Sequence, residues 1–240
     1  MSRSIGILLF VFALAFAKAL PAQNTIVELF TSQGCSSCPP ADALLAEVQE
    51  TYGDEVITLS YHVDYWDYIG WKDPFASKAY TQKQYDYATA FNSRSVYTPQ
   101  AVINGNSHFT GSDKRRMNLA LGSNTLKDSN PIALGTIKNT GNKFFTDYTI
   151  ANAATAESIT FVLTLKSKTT AIKRGENRNR TLTNHNIVID QVTVKTQDEG
   201  SIQLSKPAWV TEDDELAIVA YVTKNRVGIT SVARKEVIAP

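Results

Sequence analysis

The sequence predicts an α/β domain followed by an all-β domain, and three observations predict it. Up to about Lys127, short apolar runs alternate with stretches of helical periodicity. A C-x-x-C pair, Cys35 and Cys38, stands where the first apolar run turns into the first of those helices. After Pro131 the helical periodicity stops, and runs rich in β-branched and aromatic residues recur between turn-like clusters such as Asn139-Thr140-Gly141-Asn142. The expected division is a leader over residues 1–22, an α/β domain over 23–129 and a β-sandwich domain over 130–240.

Thr25 to Thr31 reads as a strand, and Ser32 to Pro40 as a turn running into a helix. Proline is tolerated in a first turn, where the N–H groups have no intrahelical partner. Ala41 to Tyr52 carries Leu44, Leu45 and Val48 at helical spacing and ends at Gly53. Val56 to Val63 is the second strand, Asp64 to Phe75 is dense in aromatic residues, and Ala76 to Phe91 reads as a helix covering one face of the sheet. Ala101 to Asn104 and Ser107 to Thr110 form a hairpin around Asn104-Gly105, a pair suited to a two-residue type I′ turn. A last helix runs from Asp113 to about Leu121. Beyond it the expected strands are Ile132 to Lys138, Phe144 to Ala151, Ser158 to Leu165, Thr169 to Lys173, Asn186 to Lys195, Ser201 to Leu204, Leu216 to Thr223 and Gly228 to Val237.

The formal net charge of the 240-residue chain is +1. Without a clustered excess of Lys and Arg there is no expected nucleic-acid partner. Arg3, the apolar run Ile5 to Ala17 and the small-x-small triplet Ala17-Lys18-Ala19 read as a secretory signal. The apolar run is shorter than the roughly 20 residues that span a bilayer, so no stable membrane span is expected once the signal is removed. Secretion or a periplasmic location is the expectation.

The two cysteines are the chain's only ones, and in an oxidising compartment their redox state becomes the functional question. A thiol attacks disulfides as the thiolate, and a helix N-terminus lowers its pKa through unpaired N–H groups and the peptide dipoles. Cys35 lies at such a place, with Cys38 one turn on as resolver. Two other readings stay open. A disulfide closing so small a loop gives little entropic stabilisation, yet structural bonds are common in exported proteins. The pair is also half of a zinc or copper motif, for which His62 is the candidate partner.

The order of elements, with Val96-Tyr97-Thr98-Pro99-Gln100 before the hairpin, is similar to the thioredoxin fold. The whole chain more specifically resembles a bacterial family of secreted proteins known only as a domain of unknown function. VELFTSQGCSSCPPAD (Val27 to Asp42), HVDYWDYIGWKDPF (His62 to Phe75), VYTPQAVING (Val96 to Gly105) and GENRNRTLTNHN (Gly175 to Asn186) carry that resemblance. The thioredoxin resemblance implies a cis Thr98–Pro99 bond facing the cysteines, with Pro99 leaving neighbouring backbone free to pair with a substrate strand. It implies as well a buried carboxylate serving the resolving thiol, a place that Glu28 is expected to fill. Asp42, in the first helical turn, reads as a dipole-compensating or capping carboxylate. Trp66 and Trp71 are candidate walls of a substrate groove next to Thr98, and the loop bearing Arg174, Arg178 and Arg180 is a candidate anion contact, with Arg178 foremost.

The leading expectation is therefore an exported thiol-disulfide oxidoreductase acting on a protein or small thiol or disulfide, with no cofactor. Cys35 attacks, Cys38 resolves, Pro99 orients the partner and Glu28 shuttles protons. Metal delivery through Cys35, Cys38 and His62, and a non-catalytic envelope-interaction protein, are the alternatives.

Overall fold

The computed structural model describes residues 25–238. The leader expected over residues 1–22 lies outside them. The chain is a mixed α/β structure dominated by one eight-stranded sheet. Its strands are β1 (Thr25–Thr31), β2 (Val56–His62), β3 (Gln100–Ile103), β4 (Ser107–Thr110), β8 (Ser158–Ala171), β9 (Thr181–Lys195), β11 (Leu216–Lys224) and β12 (Gly228–Val237), in the order β12-β11-β8-β9-β2-β1-β3-β4. A second sheet holds β10 (Glu199–Ser205), β7 (Lys143–Ile150) and β5 (Ile132–Leu134), with β6 (Lys138–Thr140) also paired to β7. The helices are α1 (Pro39–Tyr52), α2 (Lys78–Ala90) and α3 (Lys114–Ser123).

β1 and β2 run parallel and β3 returns antiparallel to β1. β9 then joins β2 in parallel through Ser60 and Ile187. Residues before and after 130 thus contribute four strands each to a single sheet, and the change of periodicity there marks a change of connectivity rather than an edge of the sheet. β1 and β2, in the middle of that sheet, are buried at every residue, which is why both read as near-continuous apolar runs.

The period-two alternation of the strands sends side chains to two faces. On one face, Val27 and Leu29 of β1 meet Leu44, Leu45 and Val48 of α1 and Met117 and Leu121 of α3. Further along the same face, Phe161, Leu163 and Leu165 of β8 and Ile218 of β11 meet Phe144 and Tyr148 of β7 and Leu204 of β10, so that the second sheet covers the later strands. The opposite face packs Ile26, Phe30, Leu59, Tyr61, Val162, Val219 and Tyr221 against Tyr80 and Tyr87 of α2. One helix therefore spans strands from both halves of the chain. Asn104 and Gly105 have φ of 51° and 65°, the left-handed pair that a type I′ turn needs. Any side chain at Gly105 would overlap the carbonyl oxygen of Val227, on the β11–β12 turn.

Two expected strands, Ser158 to Leu165 and Thr169 to Lys173, are one. The polar run Lys166-Ser167-Lys168 looks like an interruption, yet β8 pairs with β9 from Ser158 through to Ala171. Beyond Leu165 the hairpin leaves the packed core, so its residues lose the apolar alternation while keeping the ladder. Its tip, residues 172–180, thereby reaches the start of α1.

Candidate functional site

Cys35 and Cys38 are joined as a disulfide with their Cα atoms 5.5 Å apart. Cys38 is the N-cap of α1, its carbonyl accepting from Ala41 (2.8 Å) and Asp42 (3.1 Å), and Pro39 and Pro40 fill the first helical positions. Both cysteines are 0% exposed, whereas Ser36 and Ser37 between them are exposed. The motif lies at the surface with its sulfurs covered. Ser37 Oγ is 3.3 Å from Cys35 Sγ.

Three segments distant in sequence converge on this turn. The first is the Pro99 loop. The Thr98–Pro99 peptide is cis, as the resemblance implied. Pro99 accepts a hydrogen bond from Gly111 N (2.9 Å), and a Cβ on Gly111 would lie 3.2 Å from Ala41 and 3.3 Å from Pro99. Gly111 is thus the contact between the proline and the first turn of α1.

The second is a 3-10 turn over Asp64–Ile69 and the residues after it. Trp66 donates its indole N–H to Thr98 Oγ1 (2.7 Å), and a Cβ on Gly34 would come within 3.1 Å of the Trp66 Cβ. Trp71 donates to Gln33 Oε1 (3.1 Å). The two tryptophans are therefore held beside the cysteine turn, each by a hydrogen bond from its half-buried indole N–H.

The third is the β8–β9 hairpin tip. Asn177, fully buried, donates to the carbonyls of both Gln33 and Cys35 at 2.9 Å, and accepts from Arg180 (2.9 Å). Glu176 accepts from Ser36 N (3.0 Å), and the Ser36 hydroxyl and then this backbone N–H lower its pKa. Gly175 has φ of +75° and packs on Ile69 and Trp71, a conformation and a closeness that suit glycine alone. Arg178, with Lys173 and Arg174, lines an open hollow of about 720 Å³ beside Ser36.

Glu28 is not brought to this turn. Alternation along β1 places it on the α2 face, where its carboxylate receives the Tyr87 hydroxyl and lies 3.1 Å from Lys83 Nζ. Oε1 has no hydrogen bond, so that contact is ionic rather than well aligned. Lys83 sits over the rings of Tyr61, Tyr87 and Tyr221. Burial opposes its charge, but Glu28 outweighs burial and the pKa rises. Its ammonium is a fixed cation tying the first half of the chain to β11, not a nucleophile. The expected role of Glu28 beside Cys38 is corrected accordingly: it has the wrong parity on its strand.

The carboxylate on the α1 face is Asp42. It makes no capping hydrogen bond, contrary to the capping expectation. It is buried, accepts from Thr31 Oγ1 (3.1 Å), and its Oδ1 has no partner. Burial pushes its pKa up to about 6, with His62 pulling it down. His62, at the end of β2 and 0% exposed, directs Nδ1 at Asp73 Oδ2 (2.7 Å), while Nε2 has no partner. For His62, burial works against protonation, but the Asp73 carboxylate wins and the pKa is raised. Burial would raise the pKa of Asp73, yet His62 and the hydrogen bonds from Gln33 N and Phe75 N hold it low. Gln33 also reaches Asn184 (3.0 Å), so β9 closes the network. Among the described residues no three His, Cys, Asp or Glu side chains are grouped as a metal site.

Asp73, Asn177 and Gln33 were not singled out by the sequence. All three stand inside words that carried the family resemblance, but only the fold shows that they meet. Residues 26–223 match a family described as "Protein of unknown function (DUF1223)".

The chain belongs to that family. A crystal structure of an Agrobacterium tumefaciens protein, determined as a structural-genomics target, is similar to this DUF1223 protein over 90% of its chain and 94% of the other. The two are 28% identical, with a TM-score of 0.65. A Kluyveromyces marxianus beta-glucosidase aligns with 64% of the chain and 16% of its own, at 10% identity and a TM-score of 0.23, a level at which nothing follows. No curated protein matches this DUF1223 chain significantly. Among the described residues no helix is long and apolar enough to cross a membrane.

Proposed function

We propose that the first half of the chain is a thioredoxin-like unit and that the protein is an exported thiol-disulfide oxidoreductase. The observation that carries this is that Gly111 lies against both Pro99 of the cis Thr98–Pro99 turn and Ala41 in the first turn of α1, the helix that the Cys35–Cys38 bond opens. The order of elements along the chain, with β1 and β2 parallel and β3 and β4 antiparallel, supports this reading. Export rests on the reading of residues 1–22.

In the oxidising direction a substrate thiolate attacks Cys35 Sγ and the Cys35–Cys38 bond breaks. Cys38 leaves as a thiolate and takes a proton. The second substrate thiolate then attacks the substrate sulfur of the mixed disulfide and releases Cys35 as thiolate, stabilised by the helix N-terminus. The substrate dithiol has lost two electrons and two protons, and the protein holds a dithiol. The reverse sequence reduces a disulfide. Either cycle is closed by an external dithiol or disulfide partner. Asp42, four residues after Cys38 on the same helix, is the carboxyl group suited to give Cys38 that proton, and to take it back in the reverse direction, the role that was expected of Glu28.

Complete burial of both sulfurs favours a second reading, an inert structural bond. One experiment separates the two. Cys38→Ala protein offered a peptide disulfide is expected to trap a mixed disulfide through Cys35, and the wild-type pair to have a potential above about −300 mV. No adduct, together with a potential far below that value, establishes the structural bond instead.

A further inference from the structure

The hairpin tip that locks the cysteine turn also carries three cations into solvent beside it. Lys173, Arg174 and Arg178 line the hollow together with Ile69, Gly175 and Glu176, and all three are exposed. None of them takes part in an ion pair among the described residues. The single acid in the lining, Glu176, has its carboxylate on Ser36 N, which draws it toward the motif and leaves it a poor partner for the arginines. Some cations elsewhere on the surface are held by acids, as Lys114 is by Glu47, Lys166 by Glu215 and Lys168 by Asp214; those of the hollow are not. Three exposed cations around one hollow, with a single acid turned toward the motif, make a local excess of positive charge in a chain of net charge +1.

Its placement is fixed. Asn177 holds the tip by two hydrogen bonds to the backbone of residues 33 and 35, and Gly175 is seated on Ile69 and Trp71. The arginines therefore cannot drift from the disulfide without breaking buried contacts. Guanidinium groups bind carboxylates through paired N–H donors, and a carboxylate partner would make the steering charge and the reacting sulfur adjacent.

We propose that this hollow is the subsite for carboxylates flanking the reacting sulfur of an acidic thiol or disulfide substrate. The inference deepens the redox reading, and rests on it for the word substrate.

The probe is a fluorescent peptide with two Asp or Glu residues on each side of a serine in place of the cysteine, compared with its Asn and Gln counterpart, on the oxidised full-length mature protein. The acidic peptide is expected to bind at least tenfold more tightly and to weaken steeply between 50 and 500 mM salt. Arg174→Gln and Arg178→Gln are each expected to weaken it fivefold or more, while Lys138→Gln, on the remote β6, leaves it within twofold. Equal binding of the two peptides, or arginine variants no different from Lys138→Gln, overturns the proposal. Competition by oxidised glutathione assigns the subsite to a small carboxylate-bearing disulfide, and resistance to it assigns the subsite to an acidic protein segment. Because binding needs no electron transfer, acid-selective binding with no trapped adduct defeats the redox reading alone, whereas adduct formation without acid preference defeats this one alone.

Discussion

Asn177 and Cys35 lie 142 positions apart in the chain, yet the Asn177 amide donates to the Cys35 carbonyl at 2.9 Å. The same amide holds Gln33, so one side chain on the β8–β9 hairpin fixes the backbone on which the disulfide is built.

Replacing it tests whether the hairpin is the cover over the sulfurs. Asn177→Ala leaves two buried carbonyls without donors, at a cost of about 2 to 4 kcal/mol. The reduction of the disulfide by dithiothreitol, followed by thiol release under native conditions, is expected to accelerate at least tenfold. An unchanged rate in a folded variant shows that Asn177 does not limit access.

Asp42 makes stability depend on pH in a direction opposite to that of an ordinary carboxylate. Its pKa is raised to about 6 in the fold from near 3.9 in an unfolded chain, so its stabilising contribution is full below about pH 4. That contribution is lost as pH rises through 6. His62, whose pKa is also raised, gives stability present below its unfolded pKa and lost above its folded one. Asp73, held low, acts in the opposite sense and loses its contribution as the solution is acidified. Asp42→Asn removes the first of these, together with the part that the Asp42 carboxylate plays in raising the pKa of His62. Thermal unfolding is expected to show the variant gaining on the wild type between pH 4 and pH 7, by up to about 3 kcal/mol, and a constant difference across that range would refute the assignment.

Lys83→Met should cost about 3 to 5 kcal/mol, because it leaves the buried Glu28 carboxylate without its cation. Glu28→Gln combined with Lys83→Met is expected to recover more than half of that loss in denaturant unfolding. The double variant should retain the trapping reaction of Cys35, since both residues lie on the α2 face; loss of trapping in a stable double variant would return Glu28 to the site.

Much of the fold was legible because burial writes itself into periodicity. β1 was expected at its observed bounds, Asn104-Gly105 announced its turn, and Ser32 to Pro40 announced the start of α1. Parity was where the reading of Glu28 went astray. A strand buried on both faces carries no alternation, so nothing in the residues says which face a given side chain takes.

By itself the sequence determined the two cysteines, their place before a helix, the proline turn and the words that mark the family, because each is a local pattern with a local physical cause. Tertiary structure alone decided that β9 closes against β2, that Asp42 rather than Glu28 lies on the face of α1, and that Asn177, Asp73 and the arginine-bearing tip stand around the disulfide. Those relationships depend on which strands lie side by side and on which face a buried carboxylate finds its partner. The first is settled by packing between segments more than a hundred residues apart, the second by contacts such as that of Glu28 with Tyr87, 59 positions on, and no short window of residues contains either.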